Sequence, residues 1–331
     1  MTTILDVARL ADVSIATVSR VINDDPAVRP TTRRTVEAAI AQLDYRPNAA
    51  ARSLRLARSN TLGLIVSDLA NPIYMEVVHG IESVARAHGY SLFLCDGGDD
   101  PEAENTHLER LYERRVDGVI LYSVGRQPPA VARFKTSKTP VVAMGPSAYR
   151  CDLPGVMIDE PKATVAAIHR LLALGHERIG VINRDVPPGR YRYRTNPIAQ
   201  ELAAAGFPDQ PAVVDATSEE HCRELTRSLL SQSRPPTALV VLTHSLTPHV
   251  LHAVYDAGRC VPDDLSVIAY GDSAWATVNR PPLSVVSIDY QAWGRETAEM
   301  LLRCIVAPDE EPPKTLRAAQ FIERASIGPA R

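Results

Sequence analysis

Two periodicities divide the chain. Over residues 3–45, apolar positions recur every three to four residues and no alternating run appears, which predicts three short helices and no strands. Ile4, Val7, Ala8, Leu10 and Ala11 mark the first helix. Val18, Val21 and Ile22 mark the second, and Val36, Ala39, Ile40 and Leu43 the third. Asp12-Val13-Ser14 is a tight connection in which Ser14 can cap the second helix, and Thr31 or Thr32 after Pro30 can cap the third. Pro47 stops the pattern. Asn48 can cap a short segment ending near Leu56, and Arg58-Ser59-Asn60 reads as a linker. From residue 61 the texture changes. Apolar runs at Leu62–Val66, Ser91–Cys95, Gly118–Tyr122, Pro140–Met144, Val156–Ile158, Ile179–Ile182, Leu239–Leu242, Val267–Tyr270 and Val285–Ile288 alternate with amphipathic stretches near 74–88, 102–114, 162–174, 195–205, 219–232, 245–257 and 293–307. Continuous apolar strands alternating with helices predict parallel sheets covered on both faces. There are too many strands for one compact unit, so two α/β lobes are expected.

Composition sharpens this picture in one respect. The net charge of −3 by itself argues against a nucleic-acid partner. Its distribution reverses the argument: nine arginines against six acids leave residues 1–60 at +3, and the remainder at −6. A basic head on an acidic body is the asymmetry expected when only the head meets phosphates. No stretch approaches the length of a membrane span, and MTTILDVARLADVS lacks the basic and apolar regions of a secretory signal. Cys95, Cys151, Cys222, Cys260 and Cys304 are odd in number and widely spaced, which reads as reduced thiols. A cytoplasmic protein is the expectation.

The segment from Ile4 to Asn23 has the layout of a helix-turn-helix. Val18, Val21 and Ile22 turn one face of the second helix inward, so Ser14, Ile15, Ala16, Thr17, Ser19, Arg20 and Asn23 become candidates for DNA contact. The N-terminal residues of a recognition helix are the ones that reach base edges in the major groove. Arg20 can pair bidentately with a guanine or hold a phosphate. Ile15 and Ala16 carry no hydrogen-bonding group, so they read thymine methyls or exclude bases by shape. Val13-Ser14-Ile15-Ala16-Thr17-Val18-Ser19-Arg20-Val21-Ile22-Asn23 resembles the V-S-x-x-T-V-S-R-V-x-N block of the LacI/GalR family of bacterial transcription regulators. Tyr45-Arg46-Pro47-Asn48-Ala49-Ala50-Ala51-Arg52-Ser53-Leu54 resembles that family's hinge. The resemblance implies that Leu54 inserts into the minor groove as an apolar wedge, with Asn48, Ala51, Arg52 and Arg55 beside it. Such a wedge costs a few kcal/mol of unstacking, repaid by added contact.

The resemblance runs on through Ser67–Tyr74, Leu174-Gly175-His176-Glu177-Arg178-Ile179, Val261–Ile268 and Pro281-Pro282-Leu283-Ser284. It implies an all-α helix-turn-helix head (1–47), a hinge and linker (48–60), and a core (61–331) folded like a periplasmic sugar-binding protein. One lobe would hold about 61–159 and 290–318, the other about 160–289 and 319–331. An effector would sit between the lobes, beyond the carboxyl ends of strands. The candidate effector residues are Asp68, Tyr74, Tyr122, Asp159, Asn183, Arg194, Thr243 and Asp272. Departures from the family bear on the ligand. Where relatives carry an acid pair after an aromatic, this chain reads Tyr270-Gly271-Asp272, and Thr243-His244 replaces the usual N-D pair. Gly271 removes a carboxylate that grips sugar hydroxyls in relatives. Arg194 keeps its place, with Arg184, Arg190 and Arg192 close by. An anionic sugar derivative follows from that change of charge. A neutral sugar or polyol and a nucleobase stay open, and Arg184–Arg194 reads equally well as a solvated loop. His244 reads as a satisfied polar cleft residue rather than a proton relay or metal ligand.

The function so implied is that of a repressor, bound to a pseudo-palindromic double-stranded operator as a homodimer and controlled by a small metabolite. No heptad repeat follows Phe321–Ile327, so a dimer is expected rather than a coiled-coil tetramer. No nucleophile elbow, phosphate loop, zinc motif or dinucleotide fingerprint is present, so neither an enzyme nor a metal or cofactor is part of the reading. The rival is a solute-binding protein with the same core, which would carry a secretory signal and no basic head.

Overall fold

The computed structural model describes residues 2–45, 58–122, 127–145, 148, 151–184, 192–207, 213–310 and 312–331, with the side chains of 192–194, 213 and 214 left aside. Contacts divide the chain into two units, Met1–Asn60 and Thr61–Arg331. In the first, α1 (Ile4–Leu10), α2 (Ile15–Ile22) and α3 (Pro30–Gln42) close on one small core. Val7, Ala8, Ala11, Val18, Val21, Val36 and Ala39 are buried in it, and Ile4, Ile22, Ile40 and Leu43 pack against its edge. Leu10 departs from the pattern: it sits at helical spacing but faces solvent. Two caps define the helix starts. Thr3 and Asp6 satisfy each other reciprocally, and Ser14 Oγ accepts from the Thr17 amide at 3.2 Å. The third start differs from expectation. Pro30 is itself the first residue of α3, so Thr31 and Thr32 fall inside the first turn, and Arg29 precedes it without a side-chain cap. Proline is pre-organised for that position because its missing N–H would have no helical partner.

The second unit holds two sheets. One has the order β11-β5-β4-β3-β1-β2, from Thr315–Ala318, Gly155–Asp159, Val141–Met144, Gly118–Leu121, Thr61–Val66 and Ser91–Asp96. The other has the order β12-β10-β9-β8-β6-β7, from Gln320–Ile322, Ser284–Ser287, Ser266–Tyr270, Ala238–Val241, Ile179–Asn183 and Val213–Asp215. All neighbours are parallel except β10 and β12. The chain passes between the sheets after β5, after β10, and at Ala319 between β11 and β12. Three passages give two lobes with the carboxyl ends of their strands available for a shared cleft. Helices cover both faces, which is why the central strands are buried along their whole length.

Two glycines set the packing of the first lobe. A Cβ on Gly80 would lie 2.1 Å from the Gln291 carbonyl oxygen, and one on Gly294 would lie 2.3 Å from that of Val77. The helices Pro72–Ala87 and Tyr290–Val306 therefore approach backbone to backbone. Gly294→Ala should cost about 1–3 kcal/mol despite alanine's better helix propensity, because a carbonyl cannot yield as a side-chain tip can. Urea unfolding measures this, and an unchanged midpoint would show that the helices can separate without penalty.

Candidate functional site

In the head, α2 buries Val18 and Val21 and turns its other residues outward. Ser14, Ile15, Ala16, Arg20 and Asn23 are exposed, and Thr17 and Ser19 are half-buried. Ile15 is 45% exposed, a large apolar side chain with no place in the core. Ser14 Oγ and Thr17 Oγ1 lie 2.9 Å apart, which steadies the first turn at the end that would enter a groove. The Arg20 guanidinium is held only loosely, with Nε 3.9 Å from Asp25 Oδ2. Asp24 and Asp25 are instead engaged by Arg33, through bonds of 2.7 Å to the Asp24 carboxylate and 2.8 Å to the Asp25 carbonyl. That clamp fixes the turn after α2 and leaves Arg20 available. Asn48, Ala51, Arg52, Leu54 and Arg55 lie outside the described residues.

In the core, seven of the eight expected effector positions fall into three groups, and Arg194 stands apart. Tyr74 and Tyr122 are buried and belong to the apolar core of their lobe. Their rings meet edge to face at 5.0 Å, Tyr122 continues to Trp293 at 6.3 Å, and the Tyr74 hydroxyl is 2.7 Å from Ser67 Oγ. Both rings are engaged in the packing of that lobe. The acids at strand ends are mostly compensated. Asp159 pairs with Lys162 at 3.0 Å. Asp272 is clamped by Arg324 through bonds of 2.8 and 2.6 Å. Asp68 accepts from the Ala70 amide in a local turn. Asn183 and Thr243 lie on the floor of the second lobe, and the Asn183 amide donates to Asp215 at 3.0 Å. Arg194 lies on the helix Arg192–Ala204, with its side chain outside the described set.

Gly271 and His244 explain each other. Gly271 has φ +84°, and a Cβ there would lie 2.2 Å from Ile73 Cδ1 and 2.8 Å from His244 Cδ2. The room that an acid would need is thus taken by Ile73 of the first lobe. His244 is only half satisfied, which corrects the sequence reading. Nε2 lies 2.9 Å from Ser273 Oγ, while Nδ1 is buried without a partner. The ring rests against Trp275 at 5.2 Å. Burial pushes its pKa down to about 4, so the imidazole is neutral at physiological pH. Between pH 6.5 and 4 the unfolded chain takes up a proton that the folded one refuses. Stability present above pH 6.5 is therefore lost as pH falls toward 4, by on the order of 3 kcal/mol. His176, also held down by burial, acts in the same direction. Urea midpoints at pH 7 and pH 4.5 should diverge less for His244→Gln than for the parent, and equal divergence would contradict the assignment.

Sequence reasoning passed over Asp99, Arg184 and Arg324. Asp99 was not among the positions the sequence singled out, and Arg184 read as one of a loop cluster. Their partners lie far away in the chain, so no local spacing signals them. Among the described residues no three His, Cys, Asp or Glu side chains stand together as metal ligands, and no helix is long and apolar enough to cross a membrane.

Comparison with known proteins agrees with this architecture over nearly the whole chain. Residues 3–48 match the family model of bacterial regulatory proteins, lacI family. Residues 59–325 match that of periplasmic binding proteins and the sugar binding domain of the LacI family. The ribose operon repressor of Escherichia coli K12 is 33% identical, over 98% of this chain and 100% of that protein. The HTH-type transcriptional repressor PurR of Haemophilus influenzae is 33% identical, over 94% of this chain and 93% of its own length. A solved structure of the lac repressor dimer, bound to operator and the anti-inducer ONPF, is 25% identical with a TM-score of 0.86, covering 99% of each chain. A helix-turn-helix head and a two-sheet core, matched together from end to end, place the chain in the LacI family of bacterial regulatory proteins.

Proposed function

We propose that the chain is a transcriptional repressor that binds a pseudo-palindromic operator as a homodimer and changes its operator affinity when a small metabolite occupies the core cleft. The observation that carries this reading is the outer face of α2, where an exposed isoleucine, two small polar residues and an available arginine stand side by side in the basic unit of an otherwise acidic chain. A single helix of this length reads few base pairs, so a second copy and a second half-site supply the remaining affinity. The end-to-end likeness to an operator-bound repressor dimer supports the same arrangement.

Control follows from linkage. A metabolite that binds the DNA-competent conformation more tightly acts as a corepressor, and one that favours the other conformation acts as an inducer. Thermal-shift screening of the full chain against sugars, sugar acids, sugar phosphates and nucleobases identifies ligands by the state they stabilise. Operator anisotropy with each hit then tests the coupling. A ligand that both stabilises the core and shifts operator affinity is the expected result. Ligands that stabilise the core and leave DNA binding unchanged would favour a solute-binding role instead.

A further inference from the structure

The carboxyl ends of β6 and β8 gather buried polar atoms that make no hydrogen bond. Among the described residues these are Asn183 Oδ1, Arg184 Nε, Thr243 Oγ1, His244 Nδ1, Ser245 Oγ and Thr247 Oγ1. The two strands are neighbours, Ile182 lying opposite Val241, and the Leu242 amide donates to the Ile182 carbonyl at 2.8 Å. The six atoms therefore share one end of one sheet. Leaving a buried polar group without a hydrogen bond is costly, so several at one place mark a built site rather than an ordinary core. Asn183 and His244 are 2% and 4% exposed, and both belong to this floor.

The acids nearest this end of the sheet already have partners. Asp272 is paired with Arg324, Asp215 keeps its charge and accepts from the Asn183 amide, and in the facing lobe Asp159 is paired with Lys162. Gly271 supplies no carboxylate, and Ile73 fills the space one would need. His244 is neutral. Arg184 remains, one residue beyond β6. Its Nε lies 3.9 Å from Asp99 Oδ2, an acid of the loop after β2 in the opposite lobe. That distance compensates charge and is too long for a hydrogen bond, so the fork of the guanidinium is neutralised and not consumed.

We propose that Arg184 is the anion-reading residue of the cleft, that the ligand is a small polar metabolite bearing a carboxylate or phosphate, and that Asp99 is the internal counter-ion which this anion displaces. This rests on the cleft being the effector site. The ligand's anionic group accepts from the Arg184 fork, and the hydroxyls of Thr243 and Ser245, the Asn183 side chain and His244 Nδ1 serve its remaining polar atoms. Because Arg184 and Asp99 belong to different lobes, exchanging one counter-ion for the other changes what holds the lobes together. Ligand charge is thereby converted into lobe spacing.

Calorimetry on the full chain without DNA, using D-ribose, D-ribonate and D-ribose 5-phosphate and the corresponding D-glucose series, tests this. At least one acid is expected to bind about 10-fold or more tighter than its neutral parent. Ribonate or gluconate against the phosphates tells carboxylate from phosphate. Arg184→Gln should weaken that anion by about 10- to 100-fold and leave the neutral parent unaffected, with Arg184→Lys in between. Asp99→Asn should leave anion binding equal or tighter, an outcome that loss of folding cannot imitate. Neutral parents binding as well as the acids, no acid binding up to about 10 mM, or full anion affinity in Arg184→Gln would each overturn the proposal. Operator binding by the same preparations separates the two readings. Operator binding without anion preference removes the anion assignment alone, whereas anion preference without any effect on the operator upholds Arg184 and removes the regulatory role.

Discussion

Exchanging Arg20 for alanine is expected to weaken operator binding by about 1–3 kcal/mol in each half-site, hence roughly twice that for a dimer on both half-sites. Arg20 projects from α2 with its side chain 66% exposed and contributes nothing to the apolar core of the head. Its contact with Asp25 is long, and exposed pairs of this kind are worth little. Melting of the head should therefore be unchanged, and the loss should appear only on DNA. If Arg20 reads a guanine edge, the loss is confined to operators that keep the cognate base and vanishes on random duplex. If it holds a phosphate, both lose equally and the salt slope falls by about one per half-site. Anisotropy on cognate, half-site-substituted and random duplexes over a salt series tells these apart. Unchanged affinity everywhere would remove α2 as the reading element.

Arg324→Ala should destabilise the core by about 3–5 kcal/mol, because it leaves the Asp272 carboxylate without its cation in a partly closed environment. The guanidinium also donates to the Leu283 carbonyl at 2.9 Å, so a second acceptor is orphaned. The same site ties the segment after β12 to β9 and β10, since Ser284 Oγ accepts from the Arg324 amide, Ser326 Oγ accepts from the Ser284 amide, and the Ser326 hydroxyl donates to the Val267 carbonyl. Replacing both partners, Asp272→Asn with Arg324→Ala, should cost less than the arginine change alone. The only two tryptophans, Trp275 and Trp293, both lie in the core, so their fluorescence in urea reports it without interference from the head. A loss below about 1 kcal/mol would mean that solvent screens the pair.

The difference between what was legible in the sequence and what was not has a physical origin. Central strands such as β3, β4 and β8 are buried on both faces, so they read as continuous apolar runs. β2, β7, β11 and β12 lie at sheet edges. Of these, β2 was legible through its leucines, whereas Thr315–Ala318 alternates half-buried with exposed residues over four positions and Gln320–Ile322 spans three, too short for a period to register. The helix Val131–Ser137 buries only Val131 and Phe134, and it too was missed. In the head, every buried position follows the helical spacing, so its three helices could be read, although Leu10 at that spacing faces solvent and the third helix starts at Pro30 without a threonine cap. The carboxyl edge of the second sheet was legible at Asn183, which ends β6, and at Gly271 and Thr243, which lie just past β9 and β8. Its charge balance was not: Arg324 lies 52 residues from Asp272, and Arg184 meets Asp99 from another lobe. Pairings of that kind belong to the topology of the two sheets and leave no trace in local spacing. Asp272 was expected to face the effector, and its carboxylate is instead spent on Arg324.

Selection of bound duplexes from a random pool by the full-length chain tests the regulatory reading most directly. Enrichment of a two-fold-symmetric site is the predicted result, with half-sites whose information content drops at specific bases for Arg20→Ala and with no enrichment by the core from Thr61 onward. No enriched sequence, or an unrepeated single half-site retained at high affinity by a monomer, would contradict it.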